Sequence, residues 1–202
     1  MGHSRAAKAE SHARIVKTAA DLFRELGVGG VSVADLMQSA GLTHGGFYRH
    51  FDSREHLVAE AIQRALDDGN AAVGAVVASP RATITQLVDA YLSLAHRDNL
   101  ATGCAVTALA NDVARSGDRA RSAYTAQVRR YVDLIIKLLD QVPPKKRRSA
   151  AVAALATLVG AVAMARAVND EKLSREILKS AAAELKAQVA WGSACAKVVP
   201  PG

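Results

Sequence analysis

The sequence has few of the residues that interrupt or cross-link helices. Its 202 residues include five prolines and two cysteines, and aromatic residues make up only 4% of the chain. Because Cys104 and Cys195 stand alone and far apart, they match neither a disulfide framework nor a zinc site. The alternation of β-branched and polar residues that marks strands is nearly absent. With half of its residues hydrophobic and 22% charged, the chain is predicted to be folded. Because strand patterns are nearly absent and prolines are few, its predicted class is all-α.

Targeting and catalytic signals are missing as well. No N-terminal stretch combines a basic start, an apolar run and a small-residue cleavage site, which predicts a cytoplasmic protein. The uncharged stretch 149–165 falls short of the roughly 20 predominantly apolar residues that a membrane span needs, so we expect a buried helix and no membrane partner. The chain has no nucleophile–base pair, metal-ligand spacing or phosphate-binding loop. We therefore expect no enzyme, no metal site and no cofactor.

Positive charge is abundant but does not favour the N-terminal segment. The formal net charge is +7, yet residues 1–60 contain seven basic and seven acidic side chains. The other 19 basic and 12 acidic residues supply the whole excess. Any nucleic-acid binding by the N-terminal segment must therefore depend on a few placed cations rather than on bulk charge. We expect its affinity for DNA to depend only weakly on salt.

Apolar residues that recur every three or four positions predict about nine helices. The first four cover residues 10–26, 32–39, 43–51 and a long stretch from 52 or 53 past 65. Five more are marked by residues 84–92, 106–113, 124–139, 149–168 and 174–189, with the basic run 145–148 in an exposed loop. These helices suggest an N-terminal three-helix domain over residues 1–52 and a helical body over 53–202.

Residues 27–60 have the pattern of a helix-turn-helix. Ser32 is a suitable N-cap for the second helix, with Asp35 three residues on. Ala40-Gly41-Leu42 forms the turn, and Thr43 is predicted to cap the third helix. Such a pair of helices can place the second one in the major groove of duplex DNA.

The third predicted helix divides into an inner and an outer face. Its phase places Leu42, Phe47 and Phe51 inside, and Thr43, His44, Tyr48, Arg49 and Arg54 outside. Gly45 and Gly46 are poor helix formers, which suggests that the backbone approaches something closely, with a DNA strand as the natural candidate. Arg49 and Thr43 suit base edges, whereas Tyr48, His50 and Arg54 suit phosphates.

The ordered pieces IVKTAADLFRELG, VSVADLMQSAGL, GGFYRHF and SREHL resemble the DNA-binding domain of the tetracycline-repressor (TetR) family. The resemblance covers about a quarter of the chain. It implies that residues 53–202 form a ligand-binding and dimerisation domain. Carried over position by position, it implies recognition-helix contacts by Thr43, His44, Gly45, Tyr48, Arg49 and His50, and phosphate contacts by Ser32 and Arg54. One departure is His44, where the family often has Lys, so a fixed charge is absent there at neutral pH.

The body contains candidates for a ligand pocket and a dimer interface. Polar residues on otherwise apolar faces fit the pocket that the resemblance implies, namely Tyr91, His96, Thr107, Asn111, Tyr124, Gln127 and Tyr131. The last two helices are the expected interface, through Ala154, Leu158, Ala161, Ala165, Ile177, Ala181 and Leu185. Small side chains there allow close helix approach, and Leu158→Arg is expected to give monomers.

The sequence as a whole predicts a DNA-binding transcriptional regulator. The leading interpretation is a homodimeric repressor that binds a palindromic operator in double-stranded DNA and is released by an unidentified small-molecule effector. One alternative is a ligand-independent or architectural DNA-binding dimer. The other is a small-molecule enzyme, against which the missing catalytic motifs argue.

Overall fold

The computed structural model describes residues 5–77 and 82–195, and omits the side chains of 71, 72, 75, 76 and 189–195. In these residues it has ten α-helices, one 3₁₀ helix (η1) and no strand. The helices are α1 Arg5–Leu26, α2 Val33–Ser39, η1 His44–Arg49, α3 Arg54–Val77, α4 Ile84–Tyr91, α5 Leu94–Asp98, α6 Ala105–Ala108, α7 Ala110–Ala114, α8 Asp118–Leu138, α9 Pro144–Ala167 and α10 Glu171–Cys195. The predicted all-α class is confirmed.

Two short helices account for the difference from the nine that periodicity predicts. The first is α5, which begins because the Ser93 side chain accepts a hydrogen bond from the backbone N–H of His96, 3.1 Å away. The second arises because the expected sixth helix divides at Leu109 into α6 and α7. Leu109 is fully buried at this division, and its φ of −108° and ψ of 6° interrupt the helix.

The basic run 145–148 lies in the first turns of α9, so the expectation of an exposed loop was wrong. Pro144 stands at the first position of the helix, where its fixed φ suits helical geometry and its missing N–H costs no hydrogen bond. The Arg147 guanidinium then donates to the carbonyls of Asp140 and Val142, both at 2.7 Å. The helix thus begins about one turn earlier than its apolar residues alone indicate.

The chain divides into two compact units at different points from the predicted boundary after residue 52. Unit 1 contains the described residues of Met1–Ala71 together with Leu100–Ala126. Unit 2 contains the described residues of Ala72–Asn99 and Gln127–Gly202. The segment Leu100–Ala126, which the prediction assigns to the body, joins unit 1 through contacts that are long-range in sequence.

A buried arginine in unit 1 provides one of these ties. The Arg24 side chain is only 1% exposed and pairs with Asp21 at 2.6 Å. Its guanidinium also donates to the carbonyls of Ala65 on α3, at 3.2 Å, and Ala101, at 2.5 Å. Asp68 lies 3.6 Å from the same group. One side chain therefore links α1, α3 and the segment that precedes α6.

Unit 2 is organised around α9, which packs against α10 and α5. At one end, the Arg166 guanidinium donates to the carbonyls of His96, Arg97 and Asn99, which lie at the end of α5. A cation suits these carbonyls because the C-terminal end of a helix carries partial negative charge. Arg97 in turn pairs with Glu171 at the start of α10, 2.8 Å away.

Within the described residues, α9 is also the one helix long and apolar enough to pass a membrane-span test based on length and composition. Its most apolar stretch of 18 residues has a mean hydropathy of 1.8, and 39% of that stretch is buried. A core helix passes the same test, so the result is a weak indication of a span. The buried residues Ala151, Leu155, Leu158 and Val162 lie along one side of α9, as a core helix requires.

Candidate DNA-binding surface

The turn between α2 and η1 is fixed by local hydrogen bonds. The Ser32 side chain accepts from the backbone N–H of Asp35, so the predicted N-cap of α2 is confirmed. At the other end Gly41 adopts a φ of +70°. The N–H of Gly41 bonds the carbonyl of Gln38, and the N–H of Leu42 bonds that of Met37, both at 2.9 Å. This is a Schellman motif, and its left-handed residue explains the glycine.

The predicted third helix is a single 3₁₀ segment, η1, rather than an α-helix from 43 to 51. Two consecutive glycines weaken helical propagation, and 3₁₀ geometry is used in short pieces of this kind. Thr43 occupies the N-cap position but its side chain makes no capping hydrogen bond, so the predicted cap was wrong. Instead its backbone carbonyl accepts from the N–H of Gly46 at 2.9 Å.

The two faces of η1 are separated as the sequence predicts, with one difference. Phe47 and Phe51 are buried and stack at 5.4 Å between ring centroids. Tyr48 is 75% exposed and packs the edge of its ring against Phe47. Leu42 is only half-buried. The exposed positions beside Tyr48 are Thr43, His44, Gly45 and Arg49.

The two glycines of η1 differ in what surrounds them. A Cβ added to Gly46 would meet Met37 Cε and Thr43 Oγ1, both at 3.7 Å, which is ordinary contact inside the unit. A Cβ added to Gly45 would have no atom within 4 Å. Neither glycine has a positive φ. Nothing inside the described residues therefore requires glycine at position 45, and its open side lies on the exposed face of η1.

Two predicted phosphate ligands already have structural partners. The Arg54 guanidinium donates to the carbonyls of Val28, at 2.6 Å, and Val31, at 3.1 Å, and so holds the α1–α2 connection. Ser32 caps α2 and also donates to the Asp35 carboxylate at 2.6 Å. Both residues remain exposed. A phosphate contact by either one stays a prediction, and each would have to combine it with the bonds seen here.

A histidine cluster lies beside η1, which the sequence reasoning missed. The Glu60 carboxylate pairs with two histidines, with His12 Nε2 at 2.8 Å and His56 Nε2 at 2.9 Å. The His12 ring stacks on Phe51, with centroids 4.6 Å apart. In the sequence alone, His12 and His56 have no feature that distinguishes them from surface residues. The spacing of four between His56 and Glu60 could have indicated that pair, but no local signal joins His12 to Glu60.

His50 lies at the end of η1 and next to this cluster. Its Nδ1 is buried without a hydrogen-bond partner, and its ring centroid is 6.0 Å from that of His12. Burial lowers the pKa of His50, and the neighbouring His12, Lys8 and Arg49 lower it further. A neutral ring suits packing better than a salt bridge to phosphate. The predicted DNA contact by His50 remains a prediction, limited to its exposed edge.

An open cavity of about 810 Å³ lies in unit 1. It is bounded by the Val28–Gly29 turn, the start of α3 and the connection from α7 to α8. On its wall the Asp112 carboxylate accepts from the backbone N–H of Val28 at 3.2 Å. None of the seven residues predicted to form a ligand pocket lines this cavity. Its walls carry both acidic and basic side chains, which is unlike the mostly apolar pocket that the prediction describes.

The seven predicted pocket residues are distributed over the two units. In unit 2, His96 Nδ1 donates to the Tyr91 carbonyl at 2.6 Å and the two rings are 4.4 Å apart. Gln127 and Tyr131, one turn apart on α8, are both buried. In unit 1, Tyr124 donates to the Val106 carbonyl at 2.8 Å, and Thr107 is buried. Asn111 is exposed, so its predicted place in an interior pocket was wrong.

Most of the predicted interface residues are buried within the chain itself. Leu158 is 1% exposed, and Ala154, Ala161, Ala165 and Leu185 are also buried within the chain. Ile177 and Ala181 are half-buried. The opposite side of α9 exposes Val152, at 50%, and Met164, at 55%. Because α9 is apolar all round, its periodicity did not show which side meets the chain's own core.

Comparisons with known proteins agree with this geometry. The family described as "Bacterial regulatory proteins, tetR family" matches residues 15–61. An HTH-type transcriptional regulator of Mycobacterium tuberculosis is 28% identical over 165 residues, which are 78% of this chain and 84% of that protein. The HTH-type transcriptional repressor KstR2 of Rhodococcus jostii is 37% identical over 84 residues, 40% of this chain and 41% of its own length.

Solved structures show the same fold over nearly the whole chain. A TetR transcriptional regulator from Chloroflexus aurantiacus has a TM-score of 0.77 at 26% identity, covering 91% of this chain and 96% of that one. Escherichia coli NemR in its reduced form has a TM-score of 0.71 at 19% identity, covering 88% and 96%. At that identity the second similarity shows the fold alone.

Proposed function

Because the chain belongs to the TetR family of bacterial transcriptional regulators, we propose that it is a ligand-responsive repressor that binds a palindromic operator as a homodimer. It is a DNA-binding regulator and not an enzyme. A protein that regulates transcription must reach the chromosome, so we place it in the cytoplasm. The observation that carries the proposal is the outer face of η1, where polar side chains surround a glycine with open space beside it.

The outer face of η1 has the chemistry that a major groove requires. Arg49 can donate bidentately to guanine, and Thr43 can contact a base edge or a thymine methyl group. Tyr48 presents its hydroxyl on a ring that is held against Phe47. The absent side chain at Gly45 lets the DNA come close to the backbone of η1. Thr43, His44, Gly45, Tyr48 and Arg49 are therefore our proposed reading set.

The exposed side of α9 supports a dimer. Its outer stripe, formed by Val152, Ala153, Ala156, Ala163 and Met164, is uncharged and apolar. A contiguous apolar surface of this kind marks an interaction site in proteins. Two copies related by a twofold axis would bury the same stripe on both chains and present two copies of η1 to successive major grooves.

Membership of the family supports control of this protein by a small-molecule effector. Buried polar groups in unit 2, at Tyr91, Gln127 and Tyr131, could orient a mostly apolar molecule, and half-buried His96 lies beside Tyr91. A screen of small apolar compounds for release of a fluorescent operator duplex tests this. Gln127→Leu should blunt the response without weakening operator binding. Failure of every compound to shift the equilibrium would favour the ligand-independent dimer.

The decisive test of DNA reading compares Gly45→Ala with Gly46→Ala. Duplexes bound by the wild type are first selected from a random pool, and we expect an inverted repeat. The new methyl group of Gly45→Ala points away from the protein, so it should clash with bound DNA and weaken operator binding at least about tenfold, or ~1.4 kcal/mol. The methyl group of Gly46→Ala contacts the chain itself and should leave affinity nearly unchanged.

Both variants gain the same helix propensity, so a general effect on η1 cannot separate them. Circular dichroism and denaturant unfolding should show both to be at least as stable as the wild type. Equal affinities for the two variants would contradict the proposed orientation of η1 on DNA. A selection that recovers no inverted repeat would contradict the dimeric operator.

A further inference from the structure

We propose that the first two turns of α1 extend the DNA-binding surface, with Arg5 and Lys8 contacting phosphates that flank the sequence read by η1. This inference rests on the proposed orientation of η1 on DNA. Arg5 and Lys8 precede the family match, which begins at Ile15. The inference assigns a partner to two cations that no part of the helix-turn-helix explains.

The first ten residues of α1 lie beyond the core. The helix begins at Arg5, yet its first buried residue is Ile15. A stretch of ten helical residues covers about 15 Å at 1.5 Å per residue. Because a short helix has little stability of its own in water, this extension depends on its continuity with the packed part of α1. The His12 side chain anchors this extension through Phe51 and Glu60.

Helical phase places Arg5 and Lys8 on the same side of α1 as its buried residues. Arg5 precedes the buried Phe23 by 18 residues, which is five turns at 3.6 residues per turn. Lys8 precedes the buried Ile15 by seven residues, or about two turns. Arg14 precedes Phe23 by nine residues, or two and a half turns, and so lies on the opposite side.

The structure also brings Lys8 close to the end of η1. Lys8 lies one turn before His12, whose ring is 6.0 Å from that of His50. Burial is the main cause that lowers the pKa of His50, and the positive charges of Lys8 and Arg49 lower it further. The extension is therefore continuous with the proposed reading face of η1.

The charges of residues 1–60 sum to zero, but their acidic side chains do not pair with every cation. Asp21 pairs with Lys17 and Arg24, and Glu60 is occupied by two histidines. Among the described residues 5–60, four cations have neither an ion pair nor a hydrogen bond, namely Arg5, Lys8, Arg14 and Arg49. No acidic residue stands in the first turn of α1. Cations at a helix N-terminus oppose the macrodipole, so local stability does not explain Arg5 and Lys8. Phosphates would.

The test uses the full-length protein, the selected operator duplex and a salt series. The double variant R5A/K8A is compared with R14A, which removes a charge from the same helix on its other side. Each lost phosphate contact reduces the slope of log affinity against log salt by about 0.9. We expect R5A/K8A to reduce the slope by about 2 per protomer and R14A to leave it unchanged. The swap R5K/K8R should restore the slope, because it keeps both charges.

Flanking DNA provides a second readout. Shortening the duplex to the inverted repeat should weaken the wild type and leave R5A/K8A unaffected, because the variant has already lost the flanking contacts. Equal slopes for R5A/K8A and R14A would overturn the inference while leaving the reading function of η1 intact. A wild type that selects no sequence would overturn both. Unfolding curves should show the alanine variants to be at least as stable as the wild type, since the substituted side chains are exposed and alanine favours the helix.

Discussion

The helix-turn-helix segment and α9 differ in how they divide apolar from polar side chains. In η1 the buried Phe47 is followed directly by Tyr48, which is 75% exposed and stands among polar neighbours. In α9 the buried Leu158 lies opposite an exposed face that is also apolar and includes Met164. The outer face of η1 has the polar groups that suit a charged polymer, whereas the exposed side of α9 suits an apolar partner surface. The difference fits two partners of different chemistry, namely DNA at η1 and, at α9, the second copy of the chain that we propose.

The largest expected effects come from substitutions on the two sides of α9. Leu158→Arg would bury an unpaired charge, which should cost more than about 4 kcal/mol and leave the chain largely unfolded. Met164→Glu changes an exposed residue, so the chain should fold and yet no longer dimerise. Thermal unfolding and analytical ultracentrifugation check the two results. Operator binding should be lost in both variants, for different reasons.

Lys179→Glu on α10 is the control, because it changes the charge of an exposed residue that does not belong to the apolar stripe. It should remain a dimer. A dimeric Met164→Glu would show that the exposed side of α9 is not the interface. A folded, monomeric Leu158→Arg would instead restore the interface residues that the sequence suggested.

The comparison also explains which features the sequence could predict. The cap at Ser32 and the turn at Gly41 were predicted because each depends on residues only three to five positions away. The buried and exposed sides of η1 were predicted because apolar and polar residues alternate there at helical spacing. The orientation of α9 was missed because a helix that is apolar all round has no preferred side in its sequence. Burial in such a helix is decided by tertiary packing.

Long-range polar contacts were missed for a related reason. Arg24 looks like a surface cation in the sequence, and nothing near it indicates that Ala65 and Ala101 will offer carbonyls. His12 and Glu60 are 48 residues apart. The division of the chain into units depends on the same kind of contact, which joins Leu100–Ala126 to α1. Sequence periodicity gives the elements, whereas such pairings require the folded chain.

The next largest effect is expected at Arg24, whose partner Asp21 also pairs with Lys17. Arg24→Met leaves the carbonyls of Ala65 and Ala101 without this donor, and Asp21 with only its exposed partner Lys17, which should cost about 3 kcal/mol of unfolding free energy. Lys17→Met removes an exposed partner of the same carboxylate and should cost at most about 0.5 kcal/mol. Urea unfolding of the two variants measures the difference. Equal losses would mean that Arg24 contributes no more than a surface ion pair.

The smallest expected effect is the pH dependence contributed by His50 in unit 1 and His96 in unit 2. Burial is the main cause that lowers the pKa of each below 6.5. The unfolded chain then binds more protons than the folded one between the lowered pKa and 6.5, so stability falls as the pH drops through that window. Unfolding free energies measured from pH 7.5 to 5.5 should therefore decline in the wild type.

His50→Gln and His96→Gln should each remove part of this decline, and their effects should add because the residues lie in separate units and share no partner. Operator affinity distinguishes the two sites. His50 lies at the end of η1, so His50→Gln should also change the pH dependence of DNA binding, whereas His96→Gln should leave it as in the wild type. If both variants changed it equally, protonation would act on operator binding through overall stability. If only His50→Gln did, the reading segment would carry its own response to pH.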